Sequence, residues 1–129
     1  MNFLAVSDLV EGNARKLAQQ VGAQVCSTNN REIIARPEVT AVIVSTSEGE
    51  HLAPVLAAIE LGKPVLVEKP IALSVPDADR IIAAAQKAGV EVRVGYSRRY
   101  KDRYLLAKEQ IVQGRVGKVI GGAARVYNS

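Results

Sequence analysis

The chain has 129 residues, 48% of them apolar and 23% charged, with a net charge of +4; that is enough for one globular core, and no apolar run approaches the roughly 20 residues that span a bilayer. Cys26 is the only cysteine, which excludes an intramolecular disulfide, and the N-terminus has neither the basic start nor the long apolar stretch of a secretory signal, so the expected location is the cytoplasm. One His, one Cys and no clustered carboxylates provide no metal site, and although much of the basic excess sits in Arg98, Arg99, Lys101 and Arg103, a single Phe and no Trp argue against a nucleic-acid partner.

In chain order, residues 2–7 form a short apolar strand that ends at Asp8. Ala14, Leu17, Ala18 and Val21 are spaced as the buried stripe of a helix over residues 13–21, and Gly22 suits the left-handed position just past its end. A short strand near residues 24–26 precedes a short helix over 31–35, which Pro37 stops. Cys26, on that strand, is expected to be buried and inert. The continuous apolar run of residues 41–45 suits a strand covered on both faces, as in parallel sheets. A helix follows with Leu52, Val55, Leu56 and Ile59 on one face, ending at Gly62. Val65, Leu66 and Val67 make the next buried strand, which runs directly into Glu68, Lys69 and Pro70.

Ser74 caps the next helix, with Pro76 in its first turn, where a missing N–H does no harm, and Asp77 and Asp79 near its positive end. Ala78, Ile81, Ile82 and Ala85 are its expected buried stripe; Gly89 ends it, and residues 90–94 alternate as another strand. A last helix covers about 101–113 and stops at Gly114, and residues 118–127 read as a strand with glycines in the middle. Strands and helices alternating at this spacing predict an α/β fold, a doubly wound parallel sheet. Composition shifts near Gly95 from Ala/Val/Ile to Tyr, Arg and Lys, which predicts a junction between one domain over residues 1–96 and the start of another over 97–129.

The residues Gly62-Lys63-Pro64-Val65-Leu66-Val67-Glu68-Lys69-Pro70-Ile71-Ala72 carry a resemblance. They are similar to the A-G-K-x-V-x-x-E-K-P-x-A signature of the glucose–fructose oxidoreductase/inositol dehydrogenase (Gfo/Idh/MocA) family. Three flanks agree with it: residues 41–46 followed by Glu50 and His51; Gly95-Tyr96-Ser97-Arg98-Arg99-Tyr100; and the segment from Lys108 to Gly117. The resemblance implies a Rossmann domain that binds NAD, or NADP, followed by an α/β domain for substrate and oligomer contacts. It implies hydride transfer between the nicotinamide and a sugar, polyol or related carbonyl compound, and a homo-oligomer. The family starts with a strand and a Gly-x-Gly-x-x-Gly turn. No glycine precedes Gly12, and Gly12 has no partner at the required spacing, so that turn is lacking here and residue 1 aligns near the family's second strand. The family's second catalytic motif, an Asp and a His, would fall beyond Ser129. The expectation is a chain shortened at both ends, weak or inactive as an enzyme by itself.

The resemblance gives roles to the residues that remain. Asp8, at the end of the first strand, would accept hydrogen bonds from the adenosine ribose and so favour NAD over NADP; it suits a turn or helix cap as well. Lys69 would be the catalytic group, its ammonium stabilising the substrate oxygen as hydride moves, against the alternative of a plain surface lysine. Glu68 would touch the nicotinamide ribose or orient Lys69, and Pro70 is expected to follow a cis bond that holds the loop. Ser45 and Thr46 lie where open α/β sheets bind ligands, at a strand's carboxyl end, and would line the cofactor cleft. His51, placed with them, sits at a helix start, where a ring caps or packs more often than it catalyses. Arg98 and Arg99 would meet substrate or a domain interface, or simply form a solvated basic face.

In the usual strand order, 3-2-1-4-5-6, the lacking strand is central. Three outcomes follow: residues 2–8 pair directly with 41–45, another chain covers the exposed edges, or the isolated chain is unstable. Two further functional readings stand beside the enzyme: a non-catalytic remnant that serves as an interaction or oligomerisation module, and a small α/β anion-binding domain.

Overall fold

A computed structural model describes residues 2–125. They form β1 (Ala5–Ser7), α1 (Glu11–Val21), β2 (Val25–Ser27), α2 (Asn30–Ala35), β3 (Val42–Val44), α3 (Leu52–Glu60), β4 (Val65–Val67), α4 (Val75–Ala88), β5 (Val92–Val94) and α5 (Asp102–Val112), with 3-10 turns at Glu48–Glu50 and Ser97–Tyr100. The chain divides after Gly95 into two compact units.

The first unit is α/β, and every strand pairing in it is parallel. It contains two ladders instead of one sheet: β1 pairs with β2, and β3, β4 and β5 pair in that order. Direct pairing of the first strand with residues 41–45, one of the expected outcomes, does not occur. The parallel pattern turns alternate residues toward alternate neighbours. Leu4 and Asp8 bond across to β2, and Val42 and Val44 bond across to β4, so the main-chain groups of Ala5, Ser7 and Ile43 point the other way. The outer edges of β1 and β3 are therefore unpaired among the described residues, as are those of the terminal strands β2 and β5.

Local chemistry sets the element ends. Asn29 caps α2 by accepting from the N–H groups of Arg31 and Glu32, and Ser74 caps α4 by accepting from Asp77 N–H. Gly22 and Gly89 close α1 and α4 at φ 70° and 66°, a region where a Cβ would be strained. Lys63 ties two elements together: its ammonium donates to the carbonyls of Ile34 (2.5 Å) and Arg36 (2.6 Å) at the end of α2. The Arg36 carbonyl also accepts from Val39 N–H (3.1 Å), and a cation favours the helix's negative end.

The core joins Ile34, Val44, Val55, Ala58, Ile59, Val65, Val67 and Ile81, with Val92 and Val94 packed against it. It lies on one face of the three-stranded ladder. On the other face Ile43, Leu66 and Arg93 stand in register, with Ile43 49% and Leu66 39% exposed. The expectation of strands covered on both faces thus fails for this ladder, because α3 and α4 supply cover on one side only.

Three smaller expectations are also corrected. Leu17 and Ile82 are exposed although each was placed on a buried stripe, because the faces of α1 and α4 that pack are narrower than the apolar spacing suggests. Cys26 is exposed, since the middle residue of the outer strand β2 has little above it. The strand expected at 118–127 does not form over residues 118–125, where Gly121 and Gly122 interrupt the segment and Ile120 is almost fully exposed; residues 126 and 127 lie outside the described residues.

The second unit, considered by itself, contains the Ser97–Tyr100 turn and α5, and none of its described residues is buried. Arg99 lies over the Tyr96 ring at 5.8 Å and Arg103 over Tyr104 at 5.2 Å. Among the described residues no helix is long and apolar enough to cross a membrane.

Candidate active site

Parallel strands bring the loops that follow them to one edge. The segments after β3 and β4 meet at the carboxyl end of the three-stranded ladder, where Glu68 N–H donates to the Val44 carbonyl (2.9 Å) and Gly95 N–H donates to the Val67 carbonyl (2.7 Å). Lys69 therefore leaves the central strand one residue past Glu68, with a neighbouring strand on each side. Its side chain is 62% exposed, and Nζ lies 3.8 Å from Glu48 Oε1 in the 3-10 turn after β3.

Glu68 is exposed and bends back on its own loop: Lys69 N–H donates to Glu68 Oε2 at 3.1 Å. Gly95, at the end of β5, lies beside that carboxylate: a Cβ there would meet Glu68 Oε1 at 3.5 Å, an ordinary contact distance. The Lys69–Pro70 peptide bond is cis, as expected.

Ser45 and Thr46 are exposed immediately after β3. His51 is 1% exposed. Its Nδ1 lies 2.8 Å from the Pro70 carbonyl and its Nε2 3.2 Å from the Thr46 carbonyl, so both ring nitrogens face main chain. The ring packs beneath the two loops and does not line an open cleft.

Asp8 follows β1, in the other ladder. Its Oδ1 accepts from Val10 N–H at 2.8 Å and from the Asn13 amide at 3.4 Å, a turn that leads into α1. Arg98 and Arg99 belong to the second unit. The structure thus brings Thr46 and Pro70 together on His51, with Lys69 next to Pro70 in the chain and Glu68 bonded to Lys69 N–H, and leaves Asp8 on a separate ladder.

Glu48 was missed in the sequence. Its partner is far along the chain, and no local pattern marks the pairing. Lys63, read only as part of the family-like segment over residues 62–72, was missed as a structural tie for the same reason. Two open grooves, one along α4 lined by Ile71, Ile82, Gln86 and Val90 and one between α1 and β2 lined by Arg15, Gln19 and Cys26, do not include Lys69, Ser45, Thr46 or Asp8.

Comparison with known proteins agrees with this architecture. Residues 2–96 match the family described as "Oxidoreductase family, NAD-binding Rossmann fold". The chain is 41% identical over 121 residues to inositol 2-dehydrogenase of Gluconacetobacter diazotrophicus, covering 92% of this chain and 36% of that protein. It is 32% identical over 118 residues to scyllo-inositol 2-dehydrogenase (NAD(+)) of Bacillus subtilis, covering 92% of this chain and 34% of that protein. A probable dehydrogenase from Thermotoga maritima, known as a crystal structure, superposes with a TM-score of 0.86 at 33% identity, over 90% of this chain and 35% of that one. The chain therefore spans about a third of the length of these relatives. By its matched residues and its parallel α/β architecture, the chain belongs to the Gfo/Idh/MocA oxidoreductase family with its NAD-binding Rossmann fold.

Proposed function

We propose that this chain forms the cofactor-side unit of a nicotinamide-dependent dehydrogenase acting on a polyol or sugar, with Lys69 as its catalytic group. The observation that carries the reading is Lys69 itself: an exposed ammonium two residues beyond the end of the central strand of the ladder, in a chain of this family. The inositol dehydrogenases among its relatives make inositols the first substrates to try.

The residues present suit two parts of the dinucleotide. Asp8 keeps Oδ2 for a ribose hydroxyl while Oδ1 holds the turn, and its charge disfavours a 2′-phosphate, so NAD is preferred to NADP. Ser45 and Thr46 follow β3 and Glu68 follows β4, so their hydroxyls and carboxylate belong to the loops at the ladder's carboxyl end, where Lys69 also lies. The described residues contain no Gly-x-Gly-x-x-Gly turn to cradle a diphosphate. Affinity in this chain alone is accordingly low.

A nicotinamide bound there supplies a hydride acceptor, or in the reverse direction a hydride donor. Lys69 would donate a hydrogen bond to the substrate oxygen and stabilise its alkoxide, which forms as hydride reaches a carbonyl carbon in reduction and which, in oxidation, forms as the hydroxyl proton leaves to water and is consumed as the C–H bond breaks. Glu48, 3.8 Å from Nζ, forms only an exposed, weak ion pair that leaves the ammonium free to turn to substrate. Arg98 and Arg99 begin the substrate-side unit and offer guanidinium donors to substrate or to a second copy of the chain. The protein is expected in the cytoplasm.

Titration calorimetry of the 129-residue chain with NAD and NADP tests the reading. Weak binding of NAD, weaker binding of NADP, and a further loss of NAD affinity in Asp8→Asn are expected. Lys69→Met should keep NAD affinity within about twofold while abolishing whatever NADH formation with inositols the chain supports. Complete absence of NAD binding overturns the enzyme reading. It would favour an interaction module instead, a reading that draws on the exposed Leu105, Leu106, Ile111 and Val112 of α5. Salt-dependent binding of a polyanion in place of NAD would favour the anion-binding reading.

A further inference from the structure

The loop after β3 and the loop after β4 are joined twice. On the surface Lys69 meets Glu48 at 3.8 Å, with both side chains more than half exposed. Underneath, the buried His51 reaches the Pro70 carbonyl at 2.8 Å and the Thr46 carbonyl at 3.2 Å. Water and salt screen the surface joint and leave it weak. The buried joint is excluded from water, and a polar group lost there leaves its partner unsatisfied.

A neutral imidazole carries one N–H, while both of its neighbours are carbonyl oxygens that can only accept. One contact is therefore a hydrogen bond, and the other sets a bare ring nitrogen against an oxygen. The shorter distance falls at the usual length of an N–H···O bond and the longer one at the limit of that range. His51 also starts α3, where its carbonyl accepts from Val55 N–H at 3.2 Å, so its backbone is fixed by the helix.

We infer that His51 is a positioning residue: in its Nδ1–H tautomer it donates to the Pro70 carbonyl, holds the loop that carries Lys69 against the end of β3, and so sets where the ammonium stands. The tie is independent of the proposed dehydrogenase activity; only its purpose, the placing of Lys69, rests on that reading. The ring then acts from below, without contact with substrate or cofactor, and the Glu48 pair is dispensable for the loop's shape.

The tautomer can be read in the wild-type chain by long-range proton–nitrogen NMR, where a protonated Nδ1 and a bare Nε2 are expected. Three variants of the full chain separate the joints. His51→Leu keeps the volume and removes the donor; His51→Asn places an amide nitrogen near the Nδ1 position; Glu48→Gln removes the surface pair. His51→Leu should lower the backbone order parameters of Lys69 and Ile71 from about 0.85 to below about 0.6 while Val67 and Ile81 stay rigid. His51→Asn should restore them, and Glu48→Gln should leave them unchanged.

A bare Nδ1 in the wild type overturns the inference, even if the leucine variant fails to fold. So does an unchanged loop in His51→Leu, or a loosening spread equally through α3 and α4. If the wild type does not bind NAD, the dehydrogenase reading falls while the loop measurements still decide this one. If NAD binds and the leucine variant's loop stays rigid, only this inference falls.

Discussion

Lys63 illustrates how one side chain can join elements that the sequence separates. Its ammonium caps α2 from the turn that follows α3, donating to two carbonyls. Lys63→Met keeps the stem and removes both bonds, and should cost about 1–3 kcal/mol in urea unfolding, because the carbonyls at the helix end are left without their charged donor. A change smaller than about 0.5 kcal/mol would show that water replaces the ammonium there. At this scale the sequence was legible only where a residue acts on its own surroundings. The cap at Ser74 could be anticipated from residue type and neighbours. The pairing of Glu48 with Lys69, and the two carbonyls around His51, depend on which loops the folded ladder brings together.

Helix α4 separates apolar spacing from actual burial. Ile81 and Ile82 are adjacent and chemically identical, yet Ile81 is 1% exposed and Ile82 47%. Ile81→Ala should cost about 2–5 kcal/mol and Ile82→Ala less than about 1 kcal/mol, measured by the same urea titration. Equal costs would mean that Ile82 is covered in solution. The existence and order of the helices could be read because apolar spacing, caps and terminal glycines agree: α1 closes at Gly22 and α4 at Gly89, each with positive φ. Strand identity could be read too, from valine-rich runs such as residues 65–67. Which apolar residues become buried could not, since that depends on what packs over each face. Leu17, Ile82 and Cys26 were misjudged for this one reason, and Ile43 and Leu66 show it again on the ladder.

For the first unit as a whole, the division into two ladders governs stability. Main-chain groups on the free edges of β1 and β3 must bond to water or to another strand. Hydrogen exchange should find the Ile43 amide at least roughly 100-fold less protected than that of Val67, which lies between two neighbours. Comparable protection would signal a strand partner, such as a second copy, on that edge. Whole-molecule arrangement was the least legible level. The parallel α/β class follows from alternation, but pairing depends on which strands are available as neighbours, and the three strands after residue 41 form a ladder apart from the first two. The place where the chain divides has a practical consequence of its own. Arg98, Arg99, Lys101 and Arg103 are all exposed and begin three residues beyond Gly95, so trypsin meets its densest run of cleavage sites just past the end of the first unit. A brief digest should nick there early and release a fragment that retains all five strands together with Lys69, a direct way to obtain the sheet-bearing unit without recloning.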